Sequence, residues 1–252
     1  MFSEAEISDD KFLCGALNLL QPIKGYRAAT DPVLLAAACP AQSGQSVLDV
    51  GCGVGAAALC LGWRVPGLAL SGLELQADYA ELARRNSVRN QIALSVHSGD
   101  LMAVPAALRC DFDHVISNPP YYPSGGTPSP VLGRAAAMQV SIPLADWVEA
   151  CGRRIRPGGW LTLICGADGL PAVLAGMGGK LGSVSVLPLQ PRLSKPAVRV
   201  VVRARKGGKA PFRLLPPLVI HHGPAHDGDR ESYTPEANAV LRLGHDLSAN
   251  FG

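Results

Sequence analysis

Short apolar runs alternate with amphipathic stretches along this chain. Residues 46–50 form an apolar run that stops at Gly51. A second covers 68–73 and ends at Glu74, a third covers 93–97 and ends near Asp100, and a fourth covers 112–117 and ends at Asn118. Residues 160–165, 184–187 and 198–204 complete a set of seven. Between them, 56–63 is rich in helix formers, and 78–90 interleaves Glu81, Arg84 and Arg85 with Ala80, Leu82 and Ala83. Residues 144–155 read as a helix, followed by a turn at Arg156-Pro157-Gly158-Gly159. Upstream, Asp31-Pro32 reads as N-cap and first turn of a helix over 33–39 that Pro40 ends. Residues 18–23 read as a short strand or hairpin. Strands alternating with helices predict an α/β fold with a seven-stranded, mostly parallel sheet covered by helices on both faces. The divisions that follow are an N-terminal lid (residues 1–30), a main domain (31–206) and a C-terminal extension (207–252) that is Pro-rich and then His-rich.

Composition narrows the class. With 252 residues, 48 % hydrophobic and 17 % charged, the chain can bury a core and is not intrinsically disordered. No apolar run approaches the roughly 18 residues of a membrane span. The start, MFSEAEISDD, lacks the apolar stretch of a secretory signal, so a cytoplasmic protein is expected. Seven cysteines, an odd number without a CxxC pair, predict small buried hydrophobes. His221, His222 and His226, near Asp227 and Asp229, lack tetrahedral metal spacing and read as a solvated loop, so no metal is expected. His97 and His114 read as surface or edge residues, and Trp63, Trp147 and Trp160 as core.

The net charge of +3 hides an asymmetry. Residues 169–226 hold no Asp or Glu but nine Lys and Arg, from Lys180 to Arg213. Such clustering is the footprint of a polyanion such as RNA, or a set of solvated strand ends without acids.

Two motifs carry chemistry. Asp49-Val50-Gly51-Cys52-Gly53-Val54-Gly55 follows a strand and opens a helix, so the backbone at Gly51, Gly53 and Gly55 can approach a ligand closely. Glu74, at the end of the next strand, suits the two ribose hydroxyls of a nucleoside cofactor, and Asp100 the exocyclic amine of its adenine. An acid in the glycine turn would repel a pyrophosphate but can hold an ammonium. That favours S-adenosylmethionine, which has an amino-acid end and no phosphate.

The second motif is Asn118-Pro119-Pro120-Tyr121. The prolines remove two backbone donors and leave a carbonyl facing the site. The Asn118 side-chain carbonyl is a second acceptor. Together with Pro119 it suits a planar –NH2 group, and Tyr121 offers a face on which a base or an amide stacks, with Pro120 beside it. Transfer of a methyl group to an exocyclic amine is the expected reaction.

With both motifs, the chain resembles the class I S-adenosylmethionine-dependent methyltransferases, and among them the Asn-Pro-Pro-Tyr amino-methyltransferases. Its segment Gln21-Pro22, Gly25-Tyr26-Arg27, Thr30-Asp31-Pro32-Val33-Leu34-Leu35 is similar to the start of the bacterial tRNA (adenine-N6)-methyltransferase family acting on valine tRNA. That resemblance implies a Rossmann-like fold, adds Thr30 and Asp31 to the methionine end of the cofactor site, and places Arg134 beside the substrate. The family's usual Lys-Val-Gly-Thr-Asp reads Tyr26-Arg27-Ala28-Ala29-Thr30-Asp31 here. The implied substrate is the N6 of an adenine near the anticodon, where a single-stranded base is cheapest to extract. The alternatives are a ribosomal RNA base, a protein glutamine amide, and a catalytically silent RNA-binding factor on the same scaffold.

Overall fold

Two strands open the chain as a hairpin outside the main sheet. β1 (Ile7–Phe12) pairs antiparallel with β2 (Leu17–Pro22). The sequence signals β2 alone, because ISDDKF in β1 lacks an apolar face. Its acids are held by ion pairs instead, Asp9 with Arg89 and Asp10 with Arg27. The structure, a computed structural model, describes residues 1–120, 142–223 and 232–252.

The main sheet forms from β3 (Ser46–Val50), β4 (Ala69–Glu74), β5 (Leu94–Ser98), β6 (Phe112–Ser117), β7 (Ile155–Gly166), β8 (Leu181–Gln190) and β9 (Arg199–Lys206). Two-residue strands β10 (Arg213–Leu214) and β11 (Leu218–Val219) both pair with β8. The order is β10-β8-β9-β7-β6-β3-β4-β5, nine strands among the described residues with β11. The pairs from β5 across to β7 are parallel, and β9 runs antiparallel between β7 and β8. The seven longer strands are those the apolar runs predict. β7 starts earlier than expected, at Ile155, so the Arg156–Gly159 turn falls within it and the register with β6 shifts between Phe112 and His114.

The helices are α1 (Thr30–Ala38), α2 (Ala56–Arg64), α3 (Ala77–Arg89), α4 (Leu144–Arg153), α5 (Leu170–Gly176), α6 (Pro235–Leu243) and α7 (Ser248–Phe251). They cover both faces of the sheet. Alternation along β3 sends Val47 into a core with Leu35, Leu59 and Ile116, and Leu48 and Val50 into a core with Val115, Trp147 and Leu161. Asp49 shares the face of Val47, toward α2. α1 begins one residue before the expected cap. Ala29 is its N-cap, and Asp31 sits inside the first turn, ion-paired with Arg199 at 3.2 Å. Cys39 leaves the helix in extended conformation, as a residue before proline tends to.

Other side-chain expectations are corrected. Trp63 is 38 % exposed and not core, whereas His114 is 3 % exposed and its Nε2 donates to Gln45 Oε1, 2.8 Å away. Cys39, Cys52, Cys60, Cys151 and Cys165 are buried, but Cys14 and Cys110 are exposed. No helix among the described residues is long and apolar enough to cross a membrane.

The hairpin is stapled to α3 by two amides one turn apart. Asn86 accepts from the Leu20 N–H at 2.7 Å and donates to the Leu20 carbonyl at 3.0 Å, imitating a neighbouring strand. Asn90 does the same at Asn18, with both bonds at 2.9 Å. Asn86 also donates to the Val54 carbonyl at 3.0 Å, which ties the hairpin to the glycine turn.

Candidate active site

The site forms where the carboxyl ends of β3, β4 and β6 meet the segment that follows the hairpin, around Tyr26 and Pro32. The chain leaves β3 through Gly51, Gly53 and Gly55, with φ of +71°, +55° and +84°. Gly51 is restricted twice over: its φ is left-handed, and a Cβ there would lie 3.2 Å from the Trp147 ring. The turn is tied back to β4, because Gly51 and Cys52 both donate to the Leu73 carbonyl, at 2.8 and 3.1 Å.

Glu74, only 3 % exposed, accepts from the Gly53 N–H at 2.9 Å and from the Gln76 N–H at 2.8 Å. Burial pushes its carboxyl above the usual range, while backbone N–H groups of Gln76, Gly53 and Leu75 hold it down. Each carboxylate oxygen keeps further acceptor capacity. Asp49, 2 % exposed, accepts from the Ala58 N–H at 3.2 Å. Burial outweighs that bond and raises its pKa to about 7, with the nearby Glu74 adding to the rise. Asp100 caps a short helical turn by accepting from the Met102 N–H at 2.8 Å.

Two hollows meet at Gly51. One is lined by Tyr26, Pro32, Asp49, Gly51, Cys52 and Asn118. The other is lined by Gly51, Leu73, Gly99, Asp100, Leu101 and Trp147. Asn118 lines the first hollow and Asp100 the second, and together the two form the candidate cleft. Asn118 follows β6 directly, and its Nδ2 donates to the Tyr26 hydroxyl at 3.0 Å. Behind it, the Trp147 indole N–H donates to the Ser117 hydroxyl, which donates to the Val50 carbonyl. Among the described residues no Lys or Arg lines either hollow. A cleft bordered by acids suits a ligand that is cationic and lacks phosphate.

Comparison with known proteins agrees. Residues 29–137 match the family model of the methyltransferase small domain. Relatives from Aeromonas hydrophila and Dickeya chrysanthemi, both named tRNA1(Val) (adenine(37)-N6)-methyltransferase, are 29 % identical. The first match covers 72 % of this chain and 77 % of the relative, the second 75 % and 76 %. A crystal structure of a predicted O-methyltransferase from Agrobacterium tumefaciens superposes with TM-score 0.68 at 24 % identity, covering 86 % of this chain and 98 % of the other. The Thermus thermophilus 16S rRNA N2 G1207 methyltransferase, in complex with AdoMet and guanosine, gives 0.55 at 21 % identity, covering 79 % and 50 %. The chain has the fold of the class I methyltransferases, and its matches make it an S-adenosylmethionine-dependent methyltransferase.

The cofactor of this methyltransferase is S-adenosylmethionine, and the donor set of the cleft fits it. The structure places Asp49, Gly51 and Asn118 on one hollow and Gly51 and Asp100 on the other; Glu74 is bonded to the Gly53 N–H behind them, and Gly55 packs against Leu59, Ala83 and Leu94. Thr30 lines another hollow with Asp10, Lys11, Tyr233 and Arg242, which shares Ala28 with the hollow at Asp49. Tyr121 and Arg134 lie outside the described residues, as do His226, Asp227 and Asp229. The basic stretch divides. Arg199 pairs with Gly166 at the active-site edge of the sheet and bridges to Asp31, whereas Arg203 and Arg205 flank Trp160 at the far edge. Tyr26, Ser117 and Trp147 carry roles at the cleft that sequence reasoning did not assign to them, because each depends on contacts between distant segments.

Proposed function

We propose that this methyltransferase methylates the exocyclic N6 of an adenine in tRNA beside the anticodon. The observation that carries the reading is the placement of Asn118-Pro119 at the end of β6, on the same cleft as Asp49 and Gly51. Two acceptors there match the two hydrogens of a planar amine. The activity for which the Aeromonas and Dickeya relatives are named supports tRNA as the substrate and adenine as the base.

When bound, S-adenosylmethionine supplies an electrophilic methyl group. The protein supplies alignment and hydrogen-bond acceptors. Asn118 Oδ1 and the Pro119 carbonyl accept from the amine and so direct its lone pair. Among the described residues no backbone N–H competes for the Pro119 carbonyl. Tyr121 stacks on the base, Pro120 adds to that wall, and Arg134 contacts the RNA. Asp49 holds the cofactor's ammonium, Glu74 its ribose and Asp100 its adenine, with Thr30 near the methionine end. The residual proton leaves the methylated nitrogen to water. Residues 1–30 act as the lid, 31–206 as the catalytic domain and 207–252 as an extension, in a cytoplasmic enzyme.

The test is a digest of valine tRNA from cells lacking the gene. The reading expects N6-methyladenosine beside the anticodon to vanish and to return with the gene. A methyl group that persists at that position contradicts it.

A further inference from the structure

The Asn118–Tyr26 hydrogen bond joins residues 92 positions apart across the cleft floored by Asp49, Gly51 and Cys52. Tyr26 is 45 % exposed, and its hydroxyl accepts from Asn118 Nδ2 at 3.0 Å. Its backbone is pinned from the other side. The Tyr79 hydroxyl donates to the Tyr26 carbonyl at 3.2 Å. Gly25, with φ +115°, leaves the room this needs, because a Cβ there would come within 2.7 Å of the Tyr79 oxygen. Partial loss of hydration, with the charges of Asp31 and Asp49 nearby, raises the Tyr26 pKa to about 12, so the group stays a neutral phenol at working pH.

A primary amide has an acceptor on one side and two donors on the other. An amide that meets the target amine with Nδ2 would present hydrogens to hydrogens. With Nδ2 spent on Tyr26, Oδ1 is turned to the remaining side. We propose that Tyr26 is a positioning residue for methyl transfer: its hydroxyl holds the Asn118 amide with Oδ1 free for the incoming amine. The proposal rests on the reading that Asn118 receives that amine. A phenyl ring alone would serve a purely packing role; orientation of the amide needs the oxygen.

The test compares the full-length parent with Tyr26→Phe and Asn118→Ala, using an unmodified valine tRNA transcript and S-adenosylmethionine. Tyr26→Phe is expected to lower kcat about tenfold or more, because small misplacements of a reacting group carry large rate losses. Its KM for tRNA and Kd for the cofactor are expected to stay within about twofold of the parent, the split that marks a group acting in the transition state. The Asn118 side-chain amide resonances, assigned by their loss in Asn118→Ala, are expected to move in Tyr26→Phe. A kcat within about twofold of the parent, or unmoved resonances, overturns the proposal. Parent-level transfer by Asn118→Ala strikes the reading of Asn118 itself. A parent inactive on tRNA strikes the substrate reading and leaves the resonances to decide the Tyr26 contact.

Discussion

The Trp147 indole N–H donates to the Ser117 hydroxyl at 3.0 Å, and that hydroxyl donates to the Val50 carbonyl at 2.7 Å. The relay locks the tips of β3 and β6 together at the two points where the glycine turn and Asn118 begin. It also sets the Trp147 ring against Gly51. Ser117→Ala leaves a buried donor and a buried acceptor without partners. A loss of about 1–3 kcal/mol is expected in chemical denaturation. Weaker cofactor binding is expected beside it in calorimetry. A variant as stable as the parent would show that the relay holds nothing together.

Asn86 anchors the N-terminal hairpin. It serves both backbone groups of Leu20 and the Val54 carbonyl while itself fully buried. Asn86→Ala is expected to cost about 2–4 kcal/mol, more than an average surface change, because several buried groups lose their partner at once. Limited proteolysis should then cut first within residues 1–30. Cleavage elsewhere first would argue that the hairpin is held by its ion pairs.

Asp49 predicts a pH dependence with a definite sign. Burial raises its pKa from 3.8 to about 7. As pH rises, the unfolded chain ionises at Asp49 before the folded protein does. The carboxyl therefore takes stability away from the cofactor-free protein between about pH 4 and about pH 7, and the full penalty stands above that. Asp49→Asn should raise Tm relative to the parent at pH 8 and lose that advantage near pH 4. A cationic ligand at Asp49 favours the ionised form. Parent affinity for S-adenosylmethionine should therefore climb from pH 5 to pH 7 by up to about tenfold per unit. Affinity independent of pH across that range would remove the ammonium from Asp49.

Legibility in the sequence followed locality. β3 and β6 match their apolar runs residue for residue because each is buried on both faces and ends at residues that break a strand, Gly51 and the Asn118-Pro119-Pro120 run. The glycine turn and its acids were legible for the same reason, since spacing along two neighbouring strands places them. β1 was not, because an edge hairpin strand held by ion pairs to Arg27 and Arg89 needs no apolar face. Nor was the start of α1, where Asp31 bonds to Arg199 instead of capping. Trp63 and His114 exchanged their expected places because burial depends on the neighbour across the sheet. Tyr26 was hidden longest: its partner Asn118 is supplied by a strand far along the chain.

The central claim is that Asn118 presents a target amine to the methyl donor. The most direct measurement is transfer of labelled methyl from S-adenosylmethionine to unmodified tRNA, followed by nucleoside mass spectrometry, for the parent and Asn118→Ala. The account predicts N6-methyladenosine with the parent, none with the variant, and cofactor binding retained by both. Equal product from the variant, or label on any atom other than an exocyclic nitrogen, would contradict it.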